Sequence, residues 1–95
     1  MPVNYDSIPD ALQTRLRISI LSALYGGEKD FNTLKKILNA TDGNLSVQLM
    51  KLEQYGCLIS VKDTSGKKRT IYRISPYGKE IFADYVELLR KSIEE

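Results

Sequence analysis

The sequence predicts an α+β fold with a three-helix core, a two-stranded β-ribbon and a closing helix. Three observations predict it. FNTLKKIL and DGNLSVQLMKLEQ, separated by a short turn at Asn39-Ala40, are each apolar along one helical face. Two strand-like runs, CLISVK and TIYRI, are joined through Ser65-Gly66 and the basic triplet Lys67-Lys68-Arg69. The segment after Ser75-Pro76 is again helical in pattern. Two helices at a tight turn, followed at once by a ribbon with a basic tip, have the order of a helix-turn-helix with a wing.

Each element follows from local chemistry. Asp10 to Tyr25 reads as the first helix, with Leu12, Leu16, Ile20, Ala23 and Leu24 on one face. Ile18 and Leu21 add a second apolar stripe, so this helix is expected to be covered on two sides. Gly26-Gly27 ends it with the left-handed geometry of a C-cap. Asp30 is placed to cap a second helix, Phe31 to Leu38, whose apolar positions leave Lys35 and Lys36 outside. Thr41 caps a third helix over residues 42–55, with Asp42 favourable in its first turn.

In that third helix Leu45, Leu49 and Leu52 face the core, and Gly43, Asn44, Ser46, Val47, Met50, Lys51 and Gln54 take the other side, with Gln48 at its edge. Gly56 stops the helix. Cys57, Ile59 and Val61 then alternate with Leu58, Ser60 and Lys62, and Cys57 is expected in the core. Residues 63–69 form the ribbon tip and Thr70 to Ile74 the return strand. Tyr72 and Tyr77 read as packing residues. Ser75-Pro76 supplies the N-cap and first position of a last helix that runs to about Ile93.

One domain over residues 1–95 is expected, with residues 1–9 as an N-terminal arm and residues 76–95 as the C-terminal helical segment. Hydrophobic content of 42% with 27% charged residues is ordinary for a globular chain. Residues 1–9 lack the basic and apolar regions of a secretory signal, and no apolar run approaches the roughly 20 residues of a membrane span. The single Cys57 excludes an internal disulfide, and a cytoplasmic protein is expected. There is no His, no cluster of carboxylates, no nucleophile–base pair and no phosphate loop. Neither catalysis nor a metal or cofactor is expected.

The net charge of +2 is unevenly placed. Between Phe31 and Arg73, eight basic residues stand against Asp42, Glu53 and Asp63, a local balance of +5, while the rest of the chain carries −3. A local positive field is what a polyanion partner requires. The third helix is the candidate reading head for a DNA major groove, because short polar side chains let it approach closely. Asn44 and Gln48 are each suited to bidentate contacts with adenine, Ser46 to a phosphate or base edge, Val47 to a thymine methyl and Lys51 to a phosphate. Lys67, Lys68 and Arg69 at the ribbon tip are suited to phosphates, and Arg69 also to a narrow minor groove. The closing helix carries two stripes, Ile81, Tyr85 and Leu88 on one and Phe82, Val86, Leu89 and Ile93 on the other. With Leu12, Ile18 and Leu21 on the first helix, the spare apolar surface predicts a symmetric homodimer.

TDGNLSVQLMKLEQYGCLISVKD followed by GKKRTIYRISPYGKEIF resembles the small winged helix-turn-helix transcriptional regulators of the MarR/ArsR-like group. It is most similar to their compact branch, with TDGNLS-x-HL-x-KLE-x-x-G and then R-T-x-Y-x-(T/S)-P-x-G. The matches are Thr41 to Ser46, Leu49, Lys51 to Glu53 and Gly56, then Arg69-Thr70, Tyr72, Ser75-Pro76 and Gly78. FNTLKKIL resembles that family's second helix. The resemblance implies a homodimeric regulator that binds double-stranded DNA at a palindromic operator. It carries DNA-contact roles onto Thr41, Asn44, Ser46, Gln48, Lys51 and Arg69, and the neighbouring Lys35, Lys36, Val47, Lys67, Lys68 and Thr70 complete the expected contact set. Val47 and Met50 stand where the family often has basic residues, and Gln48 where the branch commonly has His. Any small-molecule effector is expected at the dimer interface. The alternative reading is a winged-helix protein–protein interaction module without specific DNA binding.

Overall fold

The computed structural model describes residues 8–66 and 68–94. In chain order it contains a 3-10 turn (Asp10–Leu12), α1 (Arg15–Tyr25), β1 (Lys29–Asp30), α2 (Phe31–Leu38), α3 (Asp42–Gln54), β2 (Leu58–Asp63), β3 (Arg69–Ile74) and α4 (Pro76–Glu94). This is the winged-helix α+β fold, with α2 and α3 as the helix-turn-helix and β2–β3 as the wing.

The first helix differs from the expected Asp10–Tyr25 span because the chain breaks at Gln13-Thr14. Thr14 takes an extended backbone, and its hydroxyl accepts the Arg17 N–H at 3.2 Å as the N-cap of α1. A threonine that can cap competes with continued helix, and here capping wins. At the far end Gly26 stays right-handed and Gly27 alone takes a positive φ, 138°. The other caps fall where local chemistry puts them. Asp30 accepts from Thr33 N at 2.8 Å, and Thr41 accepts from Asn44 N at 3.2 Å. Asn39 ends α2 in the left-handed region at φ 50°.

The sheet is antiparallel in the order β1-β3-β2, so the expected two-stranded ribbon gains a third strand. Lys29 and Asp30 pair with Tyr72 and Ile71. Lys29 also donates its ammonium to the Ala23 carbonyl at 2.9 Å, near the end of α1. β2 and β3 run in register from Leu58↔Ile74 to Asp63↔Arg69. Leu58 and Ile74 are buried, whereas Ile59 and Val61 are exposed on the other face. Cys57 is in the core as expected, but it precedes the strand, so Ile59 and Val61 do not share its surroundings. Burial pushes its thiol pKa up, which makes it a poor nucleophile.

One core cluster joins Leu12, Ile20, Leu21, Leu24, Leu34, Leu45, Leu49, Leu52, Cys57, Leu58, Ile74 and Ile81. α1 lies among the 3-10 turn, α2, α3, β3 and α4. Its second stripe is therefore used within the chain. Leu12 and Leu21, expected at a dimer interface, are 2% and 0% exposed and belong to the core of their own domain. Ile18, Phe82 and Tyr85 are half-buried against the same cluster, and the Phe82 ring stacks obliquely on Tyr25 with centroids 5.6 Å apart. Tyr77 is exposed rather than packed.

The start of α4 is locked to the end of α3. The Ser75 N–H donates to the Cys57 carbonyl at 3.0 Å. Its hydroxyl donates to the Gly56 carbonyl at 2.6 Å and accepts the Gly78 N–H at 2.9 Å. Gly56 holds φ 80°, a conformation that costs glycine little. Gly78 lets the first turn of α4 lie on the Cys57 carbonyl, where a Cβ would come within 2.1 Å of the oxygen. The second half of α4 leaves the body of the domain. Val86, Leu89 and Ile93 are 47%, 36% and 84% exposed. The radius of gyration is 14.2 Å, against about 12 Å for a compact chain of this length.

Candidate nucleic-acid interface

The leucines of α3 turn inward, and Thr41, Asn44, Ser46, Val47, Met50 and Lys51 are left exposed on its outer side. This is the face expected to read DNA. Gln48 is half-buried at its edge, and the structure gives it a task the sequence pattern does not show. Its Oε1 accepts from Arg17 at 2.8 Å, and its Nε2 donates to Asn44 Oδ1 at 3.3 Å. The amide expected to be free for adenine is thus engaged at both ends.

The wing differs in a similar way. Arg69 is clamped rather than free. Its Nε donates to Asp63 at 3.0 Å and a terminal nitrogen donates to Asp30 at 2.9 Å. Asp30 is also the N-cap of α2, so the clamp ties the wing root to the helix-turn-helix. The expected minor-groove role would require Arg69 to leave two carboxylates. Lys35 pairs with Asp42 at 2.8 Å across the turn, an exposed contact worth little in energy. Lys36 and Lys68 are exposed and Thr70 is half-buried. Lys67 lies outside the described residues.

Hydrogen bonds from the Ser65 hydroxyl and N–H, and then the Arg69 guanidinium, hold the Asp63 pKa down to about 2. The Asp30 pKa is lowered too, chiefly by Thr33 and secondarily by Arg69. A depressed carboxylate pKa means that the clamp is intact above the ordinary value of 3.8 and loosens as pH falls toward 2. The Asp63 carboxyl signal is expected to titrate with a midpoint near 2, and wing amide shifts should follow it by NMR. A midpoint near 3.8 would mean that neither the Ser65 bonds nor the Arg69 contact holds the carboxylate.

Between α3 and the wing runs an open cleft of about 440 Å³. Ser46, Met50 and Glu53 line its helix side, Lys68, Thr70 and Tyr72 its ribbon side, and Asp30 and Asn32 its end. An uncovered helix face beside a ribbon, with Lys68 at the ribbon tip and Lys35 and Lys36 on α2, is the geometry by which a helix enters a groove while a loop lies on the adjacent backbone. Residues 16–93 match the family described as winged helix DNA-binding domain. The chain belongs to that family. As a winged-helix DNA-binding protein it has relatives in archaea. An uncharacterized protein of Methanocaldococcus jannaschii is 42% identical over 80 residues, covering 81% of this chain and 87% of that protein. The structure of a transcriptional regulator homologue from Pyrococcus horikoshii OT3 superposes with a TM-score of 0.84 at 26% identity, covering 88% of this chain and 85% of that one. The transcriptional regulator BldR from Sulfolobus solfataricus shares the fold, with a TM-score of 0.77 at 22% identity over 94% of this chain and 66% of its own. Among the described residues no helix is long and apolar enough to cross a membrane.

Sequence reasoning missed Arg17, Asp30 and Asp63 as residues that organise this face. For Arg17 a signal existed. It shares helical spacing with Ile20, Leu21 and Leu24, so it lies on the core stripe of α1. For the two aspartates the partner is distant in sequence or across a loop, and spacing carries no trace of it.

Proposed function

We propose that this DNA-binding transcriptional regulator is a cytoplasmic homodimer that recognises a palindromic operator. In this reading α3 enters the major groove through Asn44, Ser46 and Val47, with Gln48 behind them. Thr41, Lys51 and Lys36 meet the flanking phosphates, and Lys67 and Lys68 lie on the adjacent backbone. The protein acts by occupying a promoter and is not a catalyst. The observation that carries the reading is α3 itself. Three leucines anchor it, yet its polar face is uncovered beside a basic wing. The protruding half of α4, with Val86, Leu89 and Ile93 uncovered, supports pairing with a second copy.

Enrichment of random duplexes on the purified protein tests the reading. The expected product is a palindrome with half-sites about one helical turn apart. Recovery of no preferred sequence, with retention insensitive to salt, would favour a protein-interaction module instead. The wing has its own test. Replacing Lys67 and Lys68 by Ala should weaken binding to all duplexes alike. The slope of log affinity against log salt should fall in magnitude by about 1–2, one for each phosphate no longer neutralised. An unchanged slope in the folded variant would take the wing off the backbone.

A further inference from the structure

Arg17 is the only charged residue in the core among the described residues, at 5% exposure. Its Nε donates to the Ala11 carbonyl at 3.0 Å, one terminal nitrogen donates to the Asp10 carbonyl at 2.8 Å, and the other donates to Gln48 Oε1 at 2.8 Å. The guanidinium carbon sits 5.7 Å from the centroid of the Tyr55 ring. No carboxylate pairs with it among the described residues. A buried cation needs acceptors all round. Two of its acceptors are backbone carbonyls of the 3-10 turn. The third is the one that reaches the outer face of α3.

This has a consequence for hydrogen-bond polarity. Guanidinium has donors only, so Gln48 must turn its oxygen inward and its amide hydrogens away. One of those hydrogens goes to Asn44 Oδ1. The Asn44 oxygen is thereby engaged, and its NH₂ group remains to face outward. A buried cation at the head of such a chain also polarises the donors at its end. The major-groove edge of adenine asks for a donor and an acceptor side by side, whereas that of guanine shows two acceptors, N7 and O6.

We propose that Arg17 is a specificity-setting positioning residue: by orienting Gln48, and through it Asn44, it makes this part of α3 a donor surface that prefers guanine to adenine. The inference rests on the major-groove reading above. It reverses the adenine preference that two free amides would have.

The test is duplex enrichment with the full chain and three variants, each first checked for a wild-type-like thermal transition. Asn44→Ala identifies the base position, as the one whose preference disappears. Gln48→Glu gives Arg17 a carboxylate in place of the amide oxygen, so the fold keeps its buried pair. It also removes the N–H that engages Asn44 and frees the Asn44 oxygen. The wild type is expected to select guanine at that position, and Gln48→Glu is expected to move the guanine-to-adenine ratio by about tenfold toward adenine. Arg17→Met, which has no donor to fix the Gln48 amide, should move the ratio the same way. Adenine selected by the wild type, or an unchanged ratio in both folded variants, overturns the inference while leaving the groove reading intact. A shift to cytosine in Gln48→Glu also overturns it, because a carboxylate accepting from the cytosine amino group would mean that position 48 reads bases directly. If the wild type selects no base at any position, the groove reading fails and the inference falls with it.

Discussion

Gly78→Ala is expected to be the most destabilising conservative change in the chain. The new Cβ would meet a backbone oxygen, that of Cys57, at 2.1 Å, and the Ile74 side chain at 3.0 Å. A flexible side chain can swing away from such a contact. This carbonyl cannot, because it accepts the Ser75 N–H and Ser75 caps α4. Relief requires α4 to lift off the Cys57 carbonyl and uncover Ile81. The loss should reach or exceed the top of the usual overpacking range of about 1–3 kcal/mol, and lower the melting temperature by more than about 12 °C. Gly43→Ala is the matched control. It adds the same methyl to an exposed helix position with nothing within 4 Å, and should be neutral or slightly stabilising. Melting curves of the two variants side by side decide it. A small shift for Gly78→Ala would mean that the junction is looser than its hydrogen bonds imply.

Leu89→Glu is expected to leave a folded monomer that has lost specific DNA binding. Leu89 is already 36% exposed in the single chain, so a carboxylate there costs the domain itself little. Across the proposed two-fold axis the same change would bury two unpaired charges in an apolar contact with Val86 and Ile93, at a cost of several kcal/mol. Losing the partner removes one half-site, and a single domain reads too few base pairs to compete with a genome of other sites. Sedimentation equilibrium at micromolar concentration, with operator binding on the same samples, checks both parts. A variant that stays dimeric would move the interface elsewhere. A monomer that still binds its operator as tightly as wild type would end the two-fold reading.

Much of the fold is legible because it is written in neighbouring residues. Asp30, Thr41 and Ser75 each cap the helix that follows by bonding an N–H three residues on, so the starts of α2, α3 and α4 can be read locally. The uncovered side of α3 follows from leucine spacing alone. What escaped the sequence depends on partners far along the chain. β1 is two residues long and exists only because β3 lies beside it. The outward turn of Ile59 and Val61 depends on where the strand takes up its pleat. Leu12 and Leu21 read as spare apolar surface only until the chain is folded, when both enter its single core cluster. The candidate site shows the same divide. The residues that face outward on α3 were legible, but the restraint on Gln48 by Arg17 and on Arg69 by Asp30 spans 31 and 39 residues.

The Ser75–Gly78 junction also bears on how a pair of these chains would measure distance. The helix proposed to carry the partner contact begins on the carbonyl of Cys57, one residue beyond the glycine that ends α3. The first turn of α4 is thus tied directly to the end of α3. A pair built this way is a calliper with fixed jaws. One extra base pair between half-sites turns the second site about a tenth of a turn around the duplex axis, which a rigid joint would not follow. Operator spacing would then be held as strictly as operator sequence, by a hydroxyl and a missing methyl that touch no DNA.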